Sequence, residues 1–191
     1  QRLPGIGENP ADPAVLLGAV WAAFQDRSLQ LWVKEPAAQA TLAGLGWDGS
    51  LRPPAQGDFL AVVDSNLGYN KANAAVERRV DYQVDWSGEA GEVTLTLTYT
   101  HGATAGVAHC DGVPRYGDSY ADLIDRCYFD YIRVYAPPGS RLRDIRGVRP
   151  DSGVSMAAEG GLQQFAGYMI LPPNQSKTVT QGEGAISFGK C

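Results

Sequence analysis

The sequence predicts an α+β fold that is mainly antiparallel β, a sandwich-like sheet with one or two helices from the first quarter packed on it. Residues 74–86 alternate apolar and polar side chains with one interruption at Arg78, and residues 93–100 alternate in the same way. A period of two is typical of a β-strand that buries one face. Asp12 and Pro13 instead indicate a helix start, with a capping carboxylate and proline in the first turn.

Length and composition favour a single domain. The chain has 191 residues, of which 44% are hydrophobic and 19% charged, and its formal net charge is -5. We expect one domain over 1–191, in which a helical lead-in (1–52) packs on a β-rich core (57–188), because the lead-in is too small to bury its own core. The negative charge argues against a nucleic-acid partner, since phosphate neutralisation needs a basic face. No cofactor is predicted.

The lead-in is predicted to contain two helices, at 13–25 and 37–45, and a short strand at 28–34. No stretch approaches the ~18 continuous apolar residues that a membrane-spanning helix needs. The chain begins with Gln1 rather than methionine. We therefore expect a piece of a longer protein, whose signal peptide or membrane anchor would lie upstream.

The two alternating segments predict a hairpin. Matching their apolar faces requires paired residues whose numbers sum to an odd value. The expected neighbours are Trp86 with Val93, Val84 with Leu95, and Tyr82 with Leu97. Arg78 interrupts the apolar face and needs a partner, because an unpaired buried charge is very costly. Asp64 on the preceding strand is the candidate, so we predict a buried ion pair between Asp64 and Arg78.

The other strands follow from apolar runs and proline. Residues 58–65 are apolar on both faces, which predicts a strand covered on both sides. Further strands are predicted at 127–136, 162–171 and 177–188, and 141–149 is interpreted as a basic connector. The strands at 127–136 and 162–171 both stop at a double proline. Proline followed by glycine or asparagine suits a type II turn, which places each stop at a rim of the sheet.

The cysteines indicate a compartment. Of Cys110, Cys127 and Cys191, the first two enclose a loop and form the natural disulfide pair. Closing a loop of that size stabilises a fold by about 3 kcal/mol in the chain-entropy model. Such bonds persist in oxidising compartments, which predicts an extracytoplasmic, cell-surface or secreted protein. The alternative is three reduced thiols in a cytosolic protein.

Four blocks of sequence resemble a known family. They are GDFLAVVDSN at 57–66, NKAN at 70–73, LTLTYTH at 95–101 and CYFDYIRVYAPPGS at 127–140. In order and spacing they resemble the C-terminal half of the family catalogued as domain of unknown function 4012. This resemblance implies a bacterial extracytoplasmic protein, longer than this chain and anchored by one N-terminal membrane helix. The family has no established activity, so the resemblance implies no catalytic residue.

Polar residues between the first two core strands form the candidate binding site. They are Asp64, Asn66, Asn70, Lys71 and Asn73. Their amides and cation are suited to a sugar or an anion. Asparagine also favours turns, where it tolerates left-handed backbone and caps local hydrogen bonds. A purely structural role is therefore the alternative.

Two other groups of residues have reactive side chains. The segment 117–119, ending in Ser119, looks like the Gly-Asp-Ser block of certain esterases, but both histidines precede it, whereas those enzymes place one near the C-terminus. His101, His109, Cys110 and Asp111 are of the types that bind zinc or copper. A cysteine in a disulfide is not a thiolate ligand, however. We predict neither a catalytic residue nor a metal site.

Opposite charges mark the disulfide loop and the basic connector. The loop residues are Asp111, Asp118, Asp122 and Asp125, and the connector residues are Arg141, Arg143, Arg146 and Arg149. Solvated charge explains both patches. The alternative is that they pair, within the fold or between copies of the chain.

Two functions from different classes fit these observations. The first is a non-catalytic extracytoplasmic cell-surface module for protein interaction, adhesion or assembly, whose partner is a protein or a second copy and meets the Cys110–Cys127 loop. The second is a carbohydrate-binding or carbohydrate-active module of the cell envelope, which uses carboxylates and exposed aromatic residues such as Trp47 and Tyr69.

Overall fold

The computed structural model describes residues 13–54, 57–85, 91–103, 110 and 119–186. The chain divides into two compact units, Gln1–Arg52 and Pro53–Cys191. The boundary falls at the end of the predicted lead-in. The packing of the lead-in on the core stays a prediction.

The first unit contains two helices, α1 (Pro13–Gln25) and α2 (Pro36–Leu45). The Glu35 carboxylate caps α2 by accepting hydrogen bonds from the amides of Ala37 and Ala38, and Gly46 ends the helix in the left-handed conformation with φ of 78°. Both helices were expected, whereas the cap predicted at Asp12 lies outside the described residues. None of the described helices is both long and apolar enough to span a membrane.

The strand predicted at 28–34 is wrong. Residues 28–34 have no strand pairing in the described structure. Instead the Leu31 amide donates to the Trp47 carbonyl at 2.8 Å, and the Val33 amide donates to the Gln39 side chain at 2.9 Å. A strand needs a neighbour to satisfy its backbone, and here a loop and a side chain satisfy these amides instead.

The second unit consists of two four-stranded antiparallel sheets, which confirms the predicted α+β, sandwich-like fold. The strands are β1 (Ala61–Asn66), β2 (Val76–Asp85), β3 (Gly91–His101), β4 (Tyr128–Ala136), β5 (Arg141–Arg146), β6 (Ser155–Glu159), β7 (Leu162–Leu171) and β8 (Ser176–Ile186). A short helix, α3 (Tyr120–Ile124), precedes β4. The first sheet has the order β1-β4-β7-β6 and the second the order β2-β3-β8-β5.

Side chains from both sheets form one hydrophobic core. The first sheet contributes Ile132, Val134, Met169 and Leu171, and the second contributes Leu95, Leu97 and Val179. Each of these is at most 2% exposed. β1 and β2 are edge strands of their sheets. β1 is half-buried along its length rather than covered on both sides, because an edge strand leaves part of its surface to solvent.

The hairpin of β2 and β3 has the expected faces but a different register. Val84 lies opposite Val93, Tyr82 opposite Leu95, and Val80 opposite Leu97. The paired numbers sum to an odd value, as predicted, but each predicted pair is wrong by two residues, and Trp86 lies outside the described residues. A slip of two residues preserves both faces of a strand, so the side-chain pattern alone cannot distinguish these registers.

The two predicted strand ends at the double prolines are confirmed, but the connector predicted at 141–149 is wrong. β4 and β7 end at Ala136 and Leu171, directly before the double prolines, and the turns place Gly139 and Asn174 at positive φ. Residues 141–146 are not a connector but form β5, an edge strand of the second sheet. A register shift between Leu142 and Asp144 breaks its alternation, which hid the strand in the sequence.

Candidate functional site

The predicted binding residues line one cavity of about 450 Å³ in the second unit. All five are present in its wall, together with Val76, Arg78, Tyr99 and Tyr128. These residues come from β1, β2, β3, β4 and the 66–75 segment that joins β1 to β2. The cavity therefore lies where the edge strands of the two sheets meet.

Two of the asparagines hold the 66–75 segment in shape. Asn66 donates to the Asn70 side chain at 2.9 Å and accepts from the Gly68 amide at 2.9 Å. Asn70 accepts from the Ala72 amide at 3.0 Å and donates to the Cys127 carbonyl, also at 3.0 Å. These bonds fasten the cavity wall to the start of β4. The structural role considered for asparagine thus applies to Asn66 and Asn70.

The predicted ion pair is present, but it is not buried. Arg78 Nη1 lies 2.5 Å from Asp64 Oδ2, and the two side chains are 32% and 20% exposed. Tyr99 donates its hydroxyl to Asp64 Oδ1 at 2.9 Å. Arg78 and Asp64 lie on the edge strands β2 and β1, so solvent reaches the pair from the cavity. The prediction that this pair is buried is therefore wrong.

Asp130, on β4, is a buried carboxylate behind the cavity wall that the sequence analysis missed. It is 0% exposed, and its Oδ1 accepts a hydrogen bond from the Ser65 amide at 3.0 Å. Within the described residues, Oδ2 has no partner at hydrogen-bond geometry. Burial and the negative charge of Asp64 raise the pKa of Asp130 to about 7, although the nearby Tyr128 hydroxyl and the hydrogen bond from the Ser65 amide oppose this.

The tyrosines that line the cavity are hydrogen-bond donors. Burial, followed by the charges of Asp64 and Asp130, raises the pKa of Tyr99 and of Tyr128 far above the ordinary value. Both hydroxyls therefore stay protonated.

The signal that could have identified Asp130 is the one that identified Arg78, since each is a charged residue on the inward face of an apolar strand.

The two carboxyl groups near the cavity, Asp64 and Asp130, lie in different environments. Two nearby carboxyl groups in different environments are a common acid–base pattern. Here Asp130 has no exposed surface, and Asp64 is engaged by Arg78 and Tyr99. A ligand in the cavity would therefore meet an Asp64 carboxylate that two other side chains already hold in place.

The esterase-like serine has a structural role. Ser119 caps α3: its Oγ accepts from the Asp122 amide, and the Asp122 carboxylate accepts from the Ser119 amide in a capping box. Ser119 Oγ also donates to Asp122 at 2.6 Å. The preceding glycine and aspartate, residues 117 and 118, lie outside the described residues. The Ser119 hydroxyl is thus committed to its own helix.

Of the residues considered as metal ligands, His101 also has hydrogen bonds within the protein. His101 is 1% exposed, its Nε2 bonds the Arg126 carbonyl at 2.8 Å, and its Nδ1 accepts from the Ala103 amide at 3.3 Å. His109 and Asp111 lie outside the described residues. Over the described part of the chain, no group of three or more His, Cys, Asp or Glu side chains is arranged to hold a metal ion.

The predicted disulfide is confirmed. Cys110 and Cys127 are bonded, with a Cα–Cα distance of 5.4 Å. Their bond ties the chain after β3 to the residue before β4. Cys191 lies outside the described residues.

The acidic loop does not pair with the basic segment in the described structure. Arg143 pairs with Glu92, Arg146 with Asp144 at 2.9 Å, and Arg149 with Asp151. That alternative is therefore wrong for these three arginines within one chain. The partners are sequence neighbours or a residue on another strand of the sheet, so local charge is balanced without the loop. Asp111 and Asp118 lie outside the described residues.

The exposed aromatic residues proposed for sugar binding lie in different units. Trp47 belongs to the first unit and stacks on Phe24 with ring centroids 4.3 Å apart. Tyr69 is 61% exposed in the 66–75 segment. Trp47 is therefore half-buried against Phe24, so its expected exposure is wrong.

The resemblance to domain of unknown function 4012 stays a prediction. No protein-family model, curated protein or solved structure matches the chain.

Proposed function

We propose that the chain is a non-catalytic binding module of an extracytoplasmic protein, and that its cavity takes a glycan of the cell envelope. The observation that carries this proposal is the convergence of Asp64, Asn66, Asn70, Lys71 and Asn73 on one cavity of about 450 Å³. Small-molecule sites commonly have ~300–1,000 Å³. A mono- or disaccharide unit is thus a suitable occupant.

The chemistry of the wall supports a sugar over an apolar ligand. Its side chains are amides, a carboxylate, two cations and two tyrosines, with Val76 as the apolar member. Sugar hydroxyls both donate and accept hydrogen bonds, and they match such a mixture of groups. Lys71 and Asn73 are exposed at the rim, where a ligand meets them first.

The disulfide supports the compartment. A bond between Cys110 and Cys127 persists where thiols are oxidised. The resemblance to domain of unknown function 4012 agrees, because that family is extracytoplasmic. We propose that the module acts at the cell surface.

A glycan array followed by calorimetry tests the proposal. Lys71→Met and Asn73→Ala alter the rim of the cavity, and each should weaken glycan binding by about tenfold or more, because each removes a donor to the ligand. Lys34→Met is the matched control, since Lys34 is an exposed lysine that is not among the residues that line the cavity. No glycan binding on the array, or equal loss in the Lys34 variant, contradicts the proposal.

A second candidate, self-association, is supported by the edge strand β6. All five residues of Ser155–Glu159 are exposed, and residues 155–158 carry no charge. Met156 is 64% exposed on this edge. Unprotected edge strands pair with strands of other chains. Sedimentation of the intact chain tests this: Ala157→Lys should convert a dimer to a monomer, and a monomeric parent chain contradicts the candidate.

A further inference from the structure

The polar atoms of the cavity wall fall into two sets, those already bonded within the protein and those that are open. Asp64 accepts from Arg78 at one oxygen and from Tyr99 at the other. Asn66 and Asn70 each use both ends of the side-chain amide in the bonds that shape the 66–75 segment. The acceptor oxygens of these three residues therefore each face a donor of the protein.

The open groups of Lys71, Asn73 and Arg78 are donors. Arg78 uses Nη1 for both of its bonds, to Asp64 and to the Val62 carbonyl, so Nε and Nη2 have no partner within the described residues. Asn73 accepts from Asn66 through Oδ1, and its Nδ2 is likewise open there. The Lys71 ammonium has no hydrogen bond or ion pair within the same part of the chain. A ligand thus meets N–H groups from three side chains.

The charges of the cavity wall also favour an anionic ligand. Arg78 and Asp64 cancel as an ion pair, which leaves Lys71 as an uncompensated cation of the lining. Asp130 lies behind the wall with no exposed surface, and its carboxylate faces Ser65 and Tyr128 rather than the rim. Asp122, near the same segment on α3, is occupied by the Ser119 cap. The charged side chains that line the cavity therefore carry one net positive charge, in a chain whose net charge is -5.

We infer that the glycan held in this cavity carries an anionic oxygen group, a carboxylate as in an acidic sugar, bound by Lys71, Asn73 and the outer N–H groups of Arg78. The inference rests on the proposed function and specifies its ligand class. Hydrogen bonds to a carboxylate are charge-assisted and therefore stronger than hydrogen bonds between neutral groups. A carboxylate has only acceptors, so it matches the open donors of these two cations and one amide. A neutral sugar leaves the Lys71 charge unpaired.

A pair of probes that share the same sugar rings, one charged and one neutral, tests this inference. An oligomer of a uronic acid and its fully methyl-esterified form have the same sugar rings, and calorimetry gives the affinity of each for the intact chain. The acid form should bind at least about tenfold more tightly at low salt. That preference should shrink as salt rises to about 0.5 M, because exposed charges are then screened.

Variants test whether the preference for the acid over the ester arises in the cavity. Lys71→Met should reduce the acid-to-ester ratio to near one, Lys71→Arg should retain it, and Lys34→Met should leave it unchanged. Equal affinity for acid and ester overturns the anionic inference while the proposed function stands. Failure of both probes and of every neutral glycan overturns the proposed function itself. Acetate or phosphate binding as tightly as the oligomer shows a free-anion site and overturns the assignment to a sugar.

Discussion

Asp64 and Arg78 are fourteen residues apart in the chain, yet they join the edge strands of the two sheets through an ion pair of 2.5 Å. Asp64 lies on β1 and Arg78 on β2, with the cavity beside them. The Tyr99 hydroxyl binds the other oxygen of Asp64, so one carboxylate connects three strands. The pair is consequently both a structural clamp and part of the cavity wall.

Breaking this pair should destabilise the second unit. Arg78→Met leaves the Asp64 carboxylate half-buried with Tyr99 as its hydrogen-bond donor, and we expect a loss of about 1–2 kcal/mol in the free energy of unfolding. A double-mutant cycle with Asp64→Asn should give a coupling energy of about 1 kcal/mol in urea denaturation. The exposed pair of Arg146 and Asp144 is the control and should couple by less than about 0.5 kcal/mol. Equal coupling in both pairs contradicts the clamp.

Asp130 should make stability fall as pH rises. Its pKa is raised from 3.8 to about 7 in the folded state, so between those values the folded chain binds more protons than the unfolded chain. The contribution of Asp130 to stability is then largest below about pH 4 and is lost progressively up to about pH 7. Asp130→Asn should remove this dependence, because asparagine is neutral and its Oδ1 still accepts from Ser65.

Urea denaturation between pH 4.5 and 8 measures the effect of Asp130. Relative to the parent chain, Asp130→Asn should gain about 3 kcal/mol across that range, because the folded parent chain holds one extra proton up to about pH 7 and each pH unit then changes its stability by about 1.4 kcal/mol. Glu77→Gln, on the outer face of β2, is the control and should give no such gain. A parallel pH profile for Asp130→Asn and the parent chain shows that Asp130 does not titrate in this range.

Reducing the disulfide should weaken the fold without removing it. Cys110 and Cys127 are separated by 17 residues, and a loop of this length is worth about 3 kcal/mol in the chain-entropy model. The Cys110→Ser/Cys127→Ser variant should unfold at a lower urea concentration and should no longer respond to reductant. The parent chain treated with reductant is the comparison. An unchanged midpoint in both would show that the bond adds no stability.

Ser119 should behave as a helix cap and not as a nucleophile. Ser119→Ala removes the capping box of α3, which should cost about 1 kcal/mol of stability. A fluorophosphonate probe should not label the parent chain at Ser119, since its hydroxyl is engaged by Asp122. Ser119→Asp retains an acceptor at the cap and should restore part of the stability. Covalent labelling of Ser119 would refute this role.

Much of the fold could be predicted because each strand carries its own signal. β7 has the predicted bounds, and β4 differs from its prediction by one residue at its start, since apolar runs and double prolines are local features. β5 could not be predicted, because its bulge breaks the alternation on which such a prediction depends. The hairpin register failed for a related reason, since a two-residue slip leaves the pattern of side chains unchanged.

The candidate site was half predictable. Asp64, Asn66, Asn70, Lys71 and Asn73 are close in sequence, and the cavity includes all of them. Tyr99 and Tyr128 come from β3 and β4, and nothing in the sequence indicates that these strands face each other across the same opening. Their contribution to the wall depends on which strands are neighbours.

The sequence by itself determined the sandwich-like class, the faces of β2 and β3, the Cys110–Cys127 bond and the partnership of Asp64 with Arg78. These depend on local periodicity, or on the rule that an inward charge needs an opposite one. Only the tertiary structure decided the strand order, the solvent exposure of that ion pair and the position of Asp130 behind the cavity. Exposure and pKa depend on what surrounds a group in space, and strands distant in the sequence supply those surroundings.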